Sequence, residues 1–396
     1  MKEASTVLSG YGTTIFTVMS ALAQKHDAIN LGQGFPDHEG PDDVRQVAAE
    51  ALLKGSNQYP AMMGVPELRQ AVAEHESRFH GRDIDWQSQV LVTSGATEAL
   101  AAAMMALLNP GDEVVLFEPL YDSYLPIIEL TGARPRLVRL APPDWTMPNE
   151  ALEAAFSERT KLVVLNSPMN PIGKVFTEAE LSRIARLVRK FDAYALCDEV
   201  YEHLVFSDCR HLPLGSLPGM AERTVRIGSA GKTFSLTGWK VGYLTGPEAL
   251  IGAIAKAHQY LTFTTAPNLQ RAVAYGLRKD DQYFKDIGKD LERKRDILAA
   301  GLADIGFNVL PCGGTYFVGA DFRPLGFDGS DVEFCELITR QAGVSAIPMS
   351  AFYHEGGIDH VARFCFCKDD AMLREAVNRL DRFFRGQEIQ TLSHEP

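Results

Sequence analysis

The segment Ser229-Ala-Gly-Lys-Thr-Phe-Ser-Leu-Thr-Gly-Trp-Lys-Val-Gly242 places Lys232 among small residues, directly after the apolar run 224–228. The hydroxyl of Ser229 precedes this lysine by three residues, and a second cation, Lys240, follows it by eight. A lysine in this setting can bind an aldehyde cofactor as a Schiff base, while the hydroxyl and the second cation hold the phosphate of that cofactor. Considered alone, the segment also fits a solvated lysine in a surface turn.

The beginning of this segment also resembles the end of a nucleotide-binding P-loop, in the run Gly228-Ser-Ala-Gly-Lys-Thr233. A P-loop requires a glycine five residues before its second glycine, and that position is occupied by Arg226. The shorter loop cannot wrap a chain of phosphates with successive backbone amides. We therefore exclude a P-loop.

The chain has 396 residues, which exceeds a usual single hydrophobic core and predicts a large domain and a smaller one. Its net charge of −12 argues against nonspecific binding to nucleic acid and to an anionic membrane surface. No apolar stretch has the length of a membrane span, and the first six residues lack the apolar core of a signal peptide. The six cysteines show neither a CxxC pair nor a metal-binding spacing. We predict a cytoplasmic protein with reduced thiols and no metal site.

Short apolar runs alternate with amphipathic helical patterns from about residue 90 onward. The runs cover residues 90–93, 113–117, 161–165, 193–197, 224–228 and 241–245. Alternation at this spacing predicts βαβ units and a mostly parallel sheet. After Pro247 the pattern becomes helical, with a long charged helix at about 281–305, and a smaller α+β unit follows. We expect the first forty residues to pack with this C-terminal unit.

Polar groups of complementary kinds follow the apolar runs, at the strand ends where ligands of a doubly wound sheet bind. Gly95, Ala96 and Thr97 lie where a strand turns into a helix, and the helix N-terminus favours an anion such as phosphate. Tyr121 can stack on a planar heteroaromatic ring. The amide of Asn170 can donate to a phenolate-like oxygen.

The run 193–197 leads to the carboxylate of Asp198, whose placement is costly unless the charge has a partner. A protonated pyridine nitrogen would be such a partner, and this charge pair keeps the ring an electron sink. Tyr201 follows within reach of a hydroxyl on the same ring. Each feature alone also fits an ordinary helix cap, core aromatic, turn or exposed aspartate. Together with Lys232 they describe pyridoxal phosphate part by part, and we predict it as the cofactor.

Three motifs occur in the order of a known family: Asn166…Asn170-Pro171…Gly173, Asp198-Glu-Val-Tyr201 and the segment 229–242. Over nearly its whole length the chain resembles the class I/II aminotransferases of fold type I, which are pyridoxal-phosphate-dependent transferases. The resemblance implies an α/β fold with a large cofactor-binding domain over residues 41–280, built on a mostly parallel seven-stranded sheet. It implies a smaller α+β domain from residues 1–40 and 281–396.

The same resemblance implies roles for residues away from these strand ends. The backbone of Gly34 would meet the substrate carboxylate, and Arg363 would bind it through a bidentate pair. Phe16 and Phe263 would line an apolar side-chain pocket, the latter contributed across a dimer. Tyr59 would reach the phosphate of the neighbouring subunit. These roles imply a homodimer with shared active sites.

Lys240 stands where the commonest pattern of this family has an arginine, and a lysine supplies a point charge instead of a fork. The same lysine, together with the segments 13–16 and 258–263, makes the chain similar to methionine aminotransferases and to the kynurenine aminotransferase/glutamine transaminase K branch. This similarity implies an apolar, sulfur-containing or aromatic amino donor, with a methionine-like one favoured.

The resemblance implies that Lys232 moves a proton as base and then acid, that Asp198 keeps the cofactor ring protonated, and that Tyr201 supports the ring. The amino group would pass from the amino acid to a 2-oxo acid in a ping-pong reaction. One alternative is a cysteine-conjugate C–S β-lyase, which shares the fold, cofactor and lysine. A cofactor-sensing regulator is a more remote alternative, because it needs an added DNA-binding domain with a basic surface.

Overall fold

The computed structural model of the chain describes residues 4–386. The ends of the predicted small domain, residues 1–3 and 387–396, lie outside the described residues. The strands are β1 (Ile29–Asn30), β2 (Val90–Thr93), β3 (Glu113–Glu118), β4 (Arg134–Arg139), β5 (Thr160–Asn166), β6 (Tyr194–Asp198), β7 (Thr224–Ser229), β8 (Gly242–Thr245), β9 (Asn308–Val309), β10 (Phe317–Asp321), β11 (Val344–Ser345), β12 (Ile347–Pro348) and β13 (Val361–Cys365).

Helices connect and cover these strands. They are α1 (Thr6–Ser9), α2 (Ile15–Lys25), α3 (Asp42–Lys54), α4 (Pro66–His80), α5 (Gly95–Leu107), α6 (Tyr124–Leu130), α7 (Asn149–Ala155), α8 (Glu178–Lys190), α9 (Ala230–Thr233), α10 (Glu248–Leu261), α11 (Pro267–Leu277), α12 (Asp281–Ile305), α13 (Asp331–Leu337) and α14 (Asp370–Gly386). Single 3₁₀ turns cover Leu214–Ser216, Thr237–Trp239, Arg323–Leu325 and Met349–Phe352, and a π-turn covers Ile338–Ala342. No helix among residues 4–386 has the length and apolar character needed to cross a membrane.

A seven-stranded sheet with the order β2-β8-β7-β6-β5-β3-β4 confirms the predicted mostly parallel α/β architecture. Strands β7, β6, β5, β3 and β4 pair in parallel, and only β8 runs against its two neighbours. The carboxyl ends of the other six strands therefore meet at one edge. Register places Asn166 beside Asp198 at this edge, and β7 ends there at Ser229.

Two smaller sheets use strands from the ends of the chain. Strand β1 pairs in parallel with β11, and the four-stranded sheet has the antiparallel order β12-β13-β10-β9. The N-terminal segment thus joins the C-terminal unit, as expected. The division of the chain into domains at residues 40 and 280 stays a prediction.

Local sequence explains where several helices begin and end. Thr177 and Glu180 form a capping box at the start of α8, in which the side chain of each accepts a hydrogen bond from the backbone of the other. The side chain of Asp280 accepts a hydrogen bond from the backbone N–H of Tyr283 at the start of α12, and Gly306 ends that helix in the left-handed conformation. The predicted bounds of this charged helix are confirmed.

One strand of the large sheet, β4, is absent from the apolar runs that the sequence analysis found. The edge strand β4 reads Arg-Pro-Arg-Leu-Val-Arg, with exposed arginines alternating with more buried residues, so that it lacks a continuous apolar run. Helix α6 begins at Tyr124 and leaves Tyr121 in the preceding turn. The C-terminal strand β13 ends at Cys365, so that Cys367 lies beyond it.

Candidate active site

A cavity of about 340 Å³ lies at the carboxyl edge of the large sheet and brings most of the predicted site residues together. Those that line it are Phe16, Gly34, Gly95, Ala96, Thr97, Tyr121, Asn170, Asp198, Tyr201, Ser229, Lys232, Lys240 and Arg363. They come from strand ends and the segments that follow them, from the loop around residue 34, from α2 and from β13. Only Tyr59 and Phe263, both predicted to act across a dimer, are absent from this lining.

Lys232 lies in α9, the single helical turn that follows β7. Its Nζ donates to Tyr316 Oη at 2.8 Å and lies 5.6 Å from the ring centroid of Tyr201. Burial lowers the pKa of Lys232 from its ordinary value, because the charged form loses its hydration. An amine with a lowered pKa is more readily available as the neutral nucleophile that a carbonyl group requires.

Asp198 ends β6 as a buried carboxylate, 5% exposed. Tyr124 Oη donates to its Oδ2 at 2.6 Å, whereas Oδ1 is buried and has no hydrogen-bond partner among the residues that the structure describes. Burial raises the pKa of Asp198, although the hydrogen bond from Tyr124 opposes this change. An orphaned carboxylate oxygen at the floor of a cavity is suited to a cationic N–H group that enters from outside the chain.

Backbone and side-chain donors converge at the N-terminus of α5. Gly95 has φ +79, and a Cβ added there would lie 3.4 Å from Lys240 Nζ. The chain also needs Gly242 at this point, because a Cβ on that residue would lie 2.7 Å from the carbonyl carbon of Gly95. Lys240 itself has the left-handed φ of 53, a conformation that costs energy in a residue other than glycine. The hydroxyl of Ser229, the ammonium of Lys240 and the helix N-terminus line the same cavity and could hold a phosphate there.

Arg363 is 1% exposed and makes no ion pair within 4 Å among residues 4–386. Its Nη1 donates to Asn170 Oδ1 at 3.0 Å, its Nη2 donates to Gly32 O at 2.8 Å, and its Nε has no partner among the described residues. The guanidinium also lies against the rings of Phe317 and Phe16, at 3.9 and 5.2 Å from their centroids. Burial lowers its pKa to about 10. Asp122 acts on this cation electrostatically without forming an ion pair within 4 Å, so the guanidinium is suited to bind the carboxylate of a substrate.

The remaining predicted residues complete the walls. Tyr121 lines the cavity, with its ring 5.6 Å from that of Tyr124, and burial raises its pKa. Asn170 Oδ1 accepts a hydrogen bond from Arg363. The amide nitrogen of Asn170 is therefore left to donate a hydrogen bond to a ligand in the cavity. Gly34 must be a glycine, since a Cβ there would lie 2.4 Å from the ring of Phe317.

Sequence reasoning missed two tyrosines that organise the site. Tyr316 receives the hydrogen bond from Lys232 and donates its own to Gly34 O at 2.8 Å, so that it links the lysine to the loop around residue 34. Tyr124, at the start of α6, donates a hydrogen bond to Asp198. For Tyr124 the sequence offers a local signal, because this residue follows the predicted stacking residue Tyr121 by three positions. Tyr316 has no such signal, since it lies 84 residues from Lys232.

Tyr59 and Phe263 lie together on the surface, with ring centroids 5.6 Å apart. Tyr59 is 83% exposed and Phe263 is 41% exposed. Within one chain they take no part in the cavity. Their predicted contribution to the site of a neighbouring subunit stays a prediction.

His75, Glu202 and His203 could offer ligand atoms within 4.8 Å of one another. Glu202 already pairs with the buried guanidinium of Arg226, and its Oε2 lies 2.6 Å from His80 Nε2. These contacts provide partners for the carboxylate without a metal ion. The prediction of no metal site stays a prediction.

The family model "Aminotransferase class I and II" matches residues 26–380. The chain belongs to this family. A probable N-succinyldiaminopimelate aminotransferase of Mycobacterium tuberculosis is 46% identical over 384 residues, which cover 94% of this chain and 96% of that relative. The methionine aminotransferase of Escherichia coli K12 is 42% identical over 369 residues, covering 93% and 95%. The solved structure of the mycobacterial N-succinyldiaminopimelate aminotransferase has a TM-score of 0.93 and 45% identity, covering 96% of this chain and 100% of that one.

The chain is thus an aminotransferase of fold type I, a pyridoxal-phosphate-dependent class of enzyme. Two features of the cavity fit that cofactor. The orphaned Asp198 Oδ1 suits a pyridinium N–H, and the cavity wall at Gly95 and Lys240 suits a phosphate. The cofactor prediction is confirmed, while the roles of the individual residues stay proposals.

Proposed function

We propose that the enzyme transfers the amino group of an apolar, sulfur-containing or aromatic amino acid, methionine-like by preference, to a 2-oxo acid. The observation that carries this proposal is the distribution of positive charge around the cavity. Among the described residues that line it, the cationic side chains are Lys232, Lys240 and Arg363. Each has a task in binding the cofactor or the α-carboxylate, so none remains for a second, distal carboxylate. The substrate loop, which surrounds residue 34, adds Phe35 to the wall, and β10 adds Phe317.

We assign each residue the task that its position supports. When bound, pyridoxal phosphate supplies the electron sink that makes the Cα–H bond of an amino acid acidic. The Lys232 amine, which lies in the cavity, would act as the base that takes the Cα proton of the substrate and then as the acid that returns a proton. Arg363 binds the substrate carboxylate and thereby orients the Cα–H bond toward that amine. Asp198 holds a proton on the ring nitrogen.

Two residues of the cavity serve the other side of the cofactor ring. The amide nitrogen of Asn170 and the hydroxyl of Tyr201 would donate to its phenolate oxygen, a task that suits donors that keep their protons at neutral pH. Burial raises the pKa of Tyr201, so that its hydroxyl stays protonated at neutral pH. Tyr121 stacks on the ring. The hydroxyl of Ser229 and the Lys240 ammonium hold the phosphate.

We further propose a homodimer in which Tyr59 and Phe263 complete the site of the partner. The exposure of both rings supports this proposal, as does Tyr260, which is 85% exposed on the same helix end. Aromatic side chains that cluster on a surface are typical of an interface between proteins. Analytical ultracentrifugation checks the assembly, and a monomer that retains full activity would contradict it.

N-succinyldiaminopimelate is the second candidate donor, favoured by the 46% identity to the mycobacterial relative. This substrate carries further carboxylates at a distance from the reacting amine, which the charge distribution of the cavity does not match. Steady-state kinetics with pyruvate as acceptor, a 2-oxo acid without a distal carboxylate, compares it with methionine, phenylalanine and kynurenine. We expect methionine to give a kcat/KM at least about tenfold above that of N-succinyldiaminopimelate. The reverse order would overturn the proposed substrate class.

The cysteine-conjugate C–S β-lyase reaction remains the other alternative, because it needs the same cofactor and lysine. Incubation of a cysteine conjugate without any 2-oxo acid separates the two reactions. A transaminase stops after one turnover under these conditions, whereas a β-lyase continues to release pyruvate and thiol. We expect release in the absence of acceptor to be a minor activity.

A further inference from the structure

Two cysteines that the transamination mechanism does not use lie side by side near the active site. Cys365 is the last residue of β13 and Cys367 follows two positions later. Their Sγ atoms are 3.2 Å apart, and the two residues are 0% and 2% exposed. A disulfide has an S–S distance of about 2.0 Å, so the sulfurs need to approach by only about 1 Å to form a bond.

One of these thiols is open to small molecules from inside the protein. Cys367 lines a second cavity of about 340 Å³, and Lys232 lines both this cavity and that of the active site. The lining of the second cavity also includes His38, which is exposed at the surface. A small oxidant can therefore meet the sulfur of Cys367 without displacing the core.

Hydrogen bonding makes the two thiols unequal. Burial raises the pKa of Cys367, and its hydrogen bond to the Cys365 sulfur raises it further. Burial acts in the same direction on Cys365, but the hydrogen bonds from Cys367 and the charge of Lys368 outweigh it and lower the pKa of Cys365. The pair thus holds a negative charge more easily than an isolated buried thiol does.

We propose that Cys365 and Cys367 are an oxidisable dithiol, a modification site at which a hydroperoxide closes a disulfide. Cys365 in its thiolate form accepts the proton of Cys367, whose sulfur attacks one peroxide oxygen and breaks the O–O bond. The leaving oxygen takes this proton from Cys365 and departs as an alcohol or water, which restores the Cys365 thiolate and leaves Cys367 as a sulfenic acid. The Cys365 thiolate then attacks this sulfur and displaces hydroxide, which takes up a proton to become water. Two thiols lose two electrons and two protons, and the peroxide gains both.

Oxidation would act on substrate binding, because the end of β13 holds the substrate loop. The backbone N–H of Cys365 donates to Leu31 O at 2.7 Å, and Lys368 Nζ donates to Phe35 O at 3.1 Å. Arg363 binds Gly32 O from the same strand. A shift of about 1 Å at a site that positions substrate can cost about a hundredfold in rate. This consequence rests on the proposed function of Arg363 and the loop, whereas the oxidation itself does not.

The sequence offers a direct readout of the oxidation. Trypsin cleaves after Arg363 and after Lys368, so both thiols lie in the pentapeptide Phe364-Cys-Phe-Cys-Lys368 and no other cysteine does. The holoenzyme is treated with hydrogen peroxide, quenched with catalase, and unfolded in iodoacetamide before digestion and mass spectrometry. We expect the pentapeptide to lose both alkyl groups and to weigh two hydrogens less than the dithiol. Treatment with a phosphine reductant restores alkylation.

The same sample is assayed for its KM for the amino donor, which we expect to rise about tenfold or more and to recover on reduction. The matched control is Cys367→Ala, which keeps Cys365 alkylatable and keeps the KM constant under peroxide. The site is refuted if both thiols stay alkylatable at peroxide concentrations that oxidise the exposed Cys209. A disulfide with an unchanged KM would refute the coupling to the substrate loop. Since the mass measurement needs no turnover, its failure is distinct from a failure of the proposed function.

Discussion

Replacement of Arg363 by methionine should remove most of the activity while lowering the stability of the fold only modestly. The pKa of this guanidinium is lowered to about 10 from the ordinary 12.5. At about 1.4 kcal/mol for each unit, burying the charge costs about 3 kcal/mol. Its hydrogen bonds to Asn170 and Gly32 contribute about 1.5–3 kcal/mol each, which offsets that cost. The free energy of unfolding of the apoenzyme should therefore fall by about 0–3 kcal/mol.

Activity should respond differently, because the substrate carboxylate loses its only buried cationic partner. Removal of one member of a buried charge pair costs about 2–5 kcal/mol, which corresponds to a loss in kcat/KM of about thirtyfold to several thousandfold. Urea unfolding and steady-state kinetics with methionine measure the two quantities on the same preparations.

Arg226 provides the matched control, because it is equally buried but fully paired. Its guanidinium contacts Glu76, Glu199 and Glu202, and although burial acts in the opposite direction, these carboxylates raise its pKa. Arg226→Met leaves three buried carboxylates without their cation and should cost about 3–5 kcal/mol of stability. If Arg363→Met destabilises the protein as much as Arg226→Met does, or keeps its activity, the assignment of Arg363 as a substrate anchor is wrong.

Further predictions concern the cofactor, the proton carrier and the side-chain pocket. Asp198→Asn retains the hydrogen bond from Tyr124 and should fold normally, but should lower transamination about a hundredfold or more in a single-turnover assay; normal turnover would contradict its task. Lys240→Ala should weaken cofactor binding about ten- to a hundredfold in an equilibrium titration, and Lys240→Arg should not. Phe16→Ala should lower kcat/KM for methionine about tenfold more than for alanine as donor, and an equal loss for both would place the side chain elsewhere. Because burial lowers the pKa of Lys232, the apoenzyme amine should react with pyridoxal at half its maximal rate at a pH below 10.5. The loss of folding stability that comes from burying the charged amine is present below the folded-state pKa and is relieved as the pH rises toward 10.5. A midpoint at or above 10.5 would contradict that assignment.

Most strands of the large sheet could be predicted because a strand buried on both faces must be a continuous apolar run. Strand β5 is an example, since five of its residues, from Leu162 to Asn166, are consecutively buried. The edge strand β4 lacks this signal, because its arginines alternate with partly buried positions. The other edge strand, β2, is buried at all four positions and was predicted, so the exposed arginines of β4, and not its edge position alone, hide that strand.

The candidate site likewise contains residues that the sequence predicts and contacts that it does not predict. Asp198, Ser229 and Lys232 could be found from the sequence because they follow apolar runs at the one edge where parallel strands end. The hydrogen bonds from Tyr316 to Gly34 and from Lys232 to Tyr316 join residues 282 and 84 positions apart. No local pattern encodes such contacts, which depend on how the C-terminal unit packs on the large sheet. Arg363 was predicted only through the family resemblance for the same reason.

The central claim is that Lys232 binds the cofactor covalently, and reduction of the holoenzyme with borohydride tests it most directly. Reduction turns a Schiff base into a stable secondary amine, and peptide mapping by mass spectrometry locates the pyridoxyl phosphate group. We predict one modified residue per chain, Lys232, and none in the Lys232→Ala variant, which should also lack the visible absorbance of the bound cofactor. A stoichiometric adduct on another lysine, or an unmodified Lys232 in active enzyme, would contradict the account.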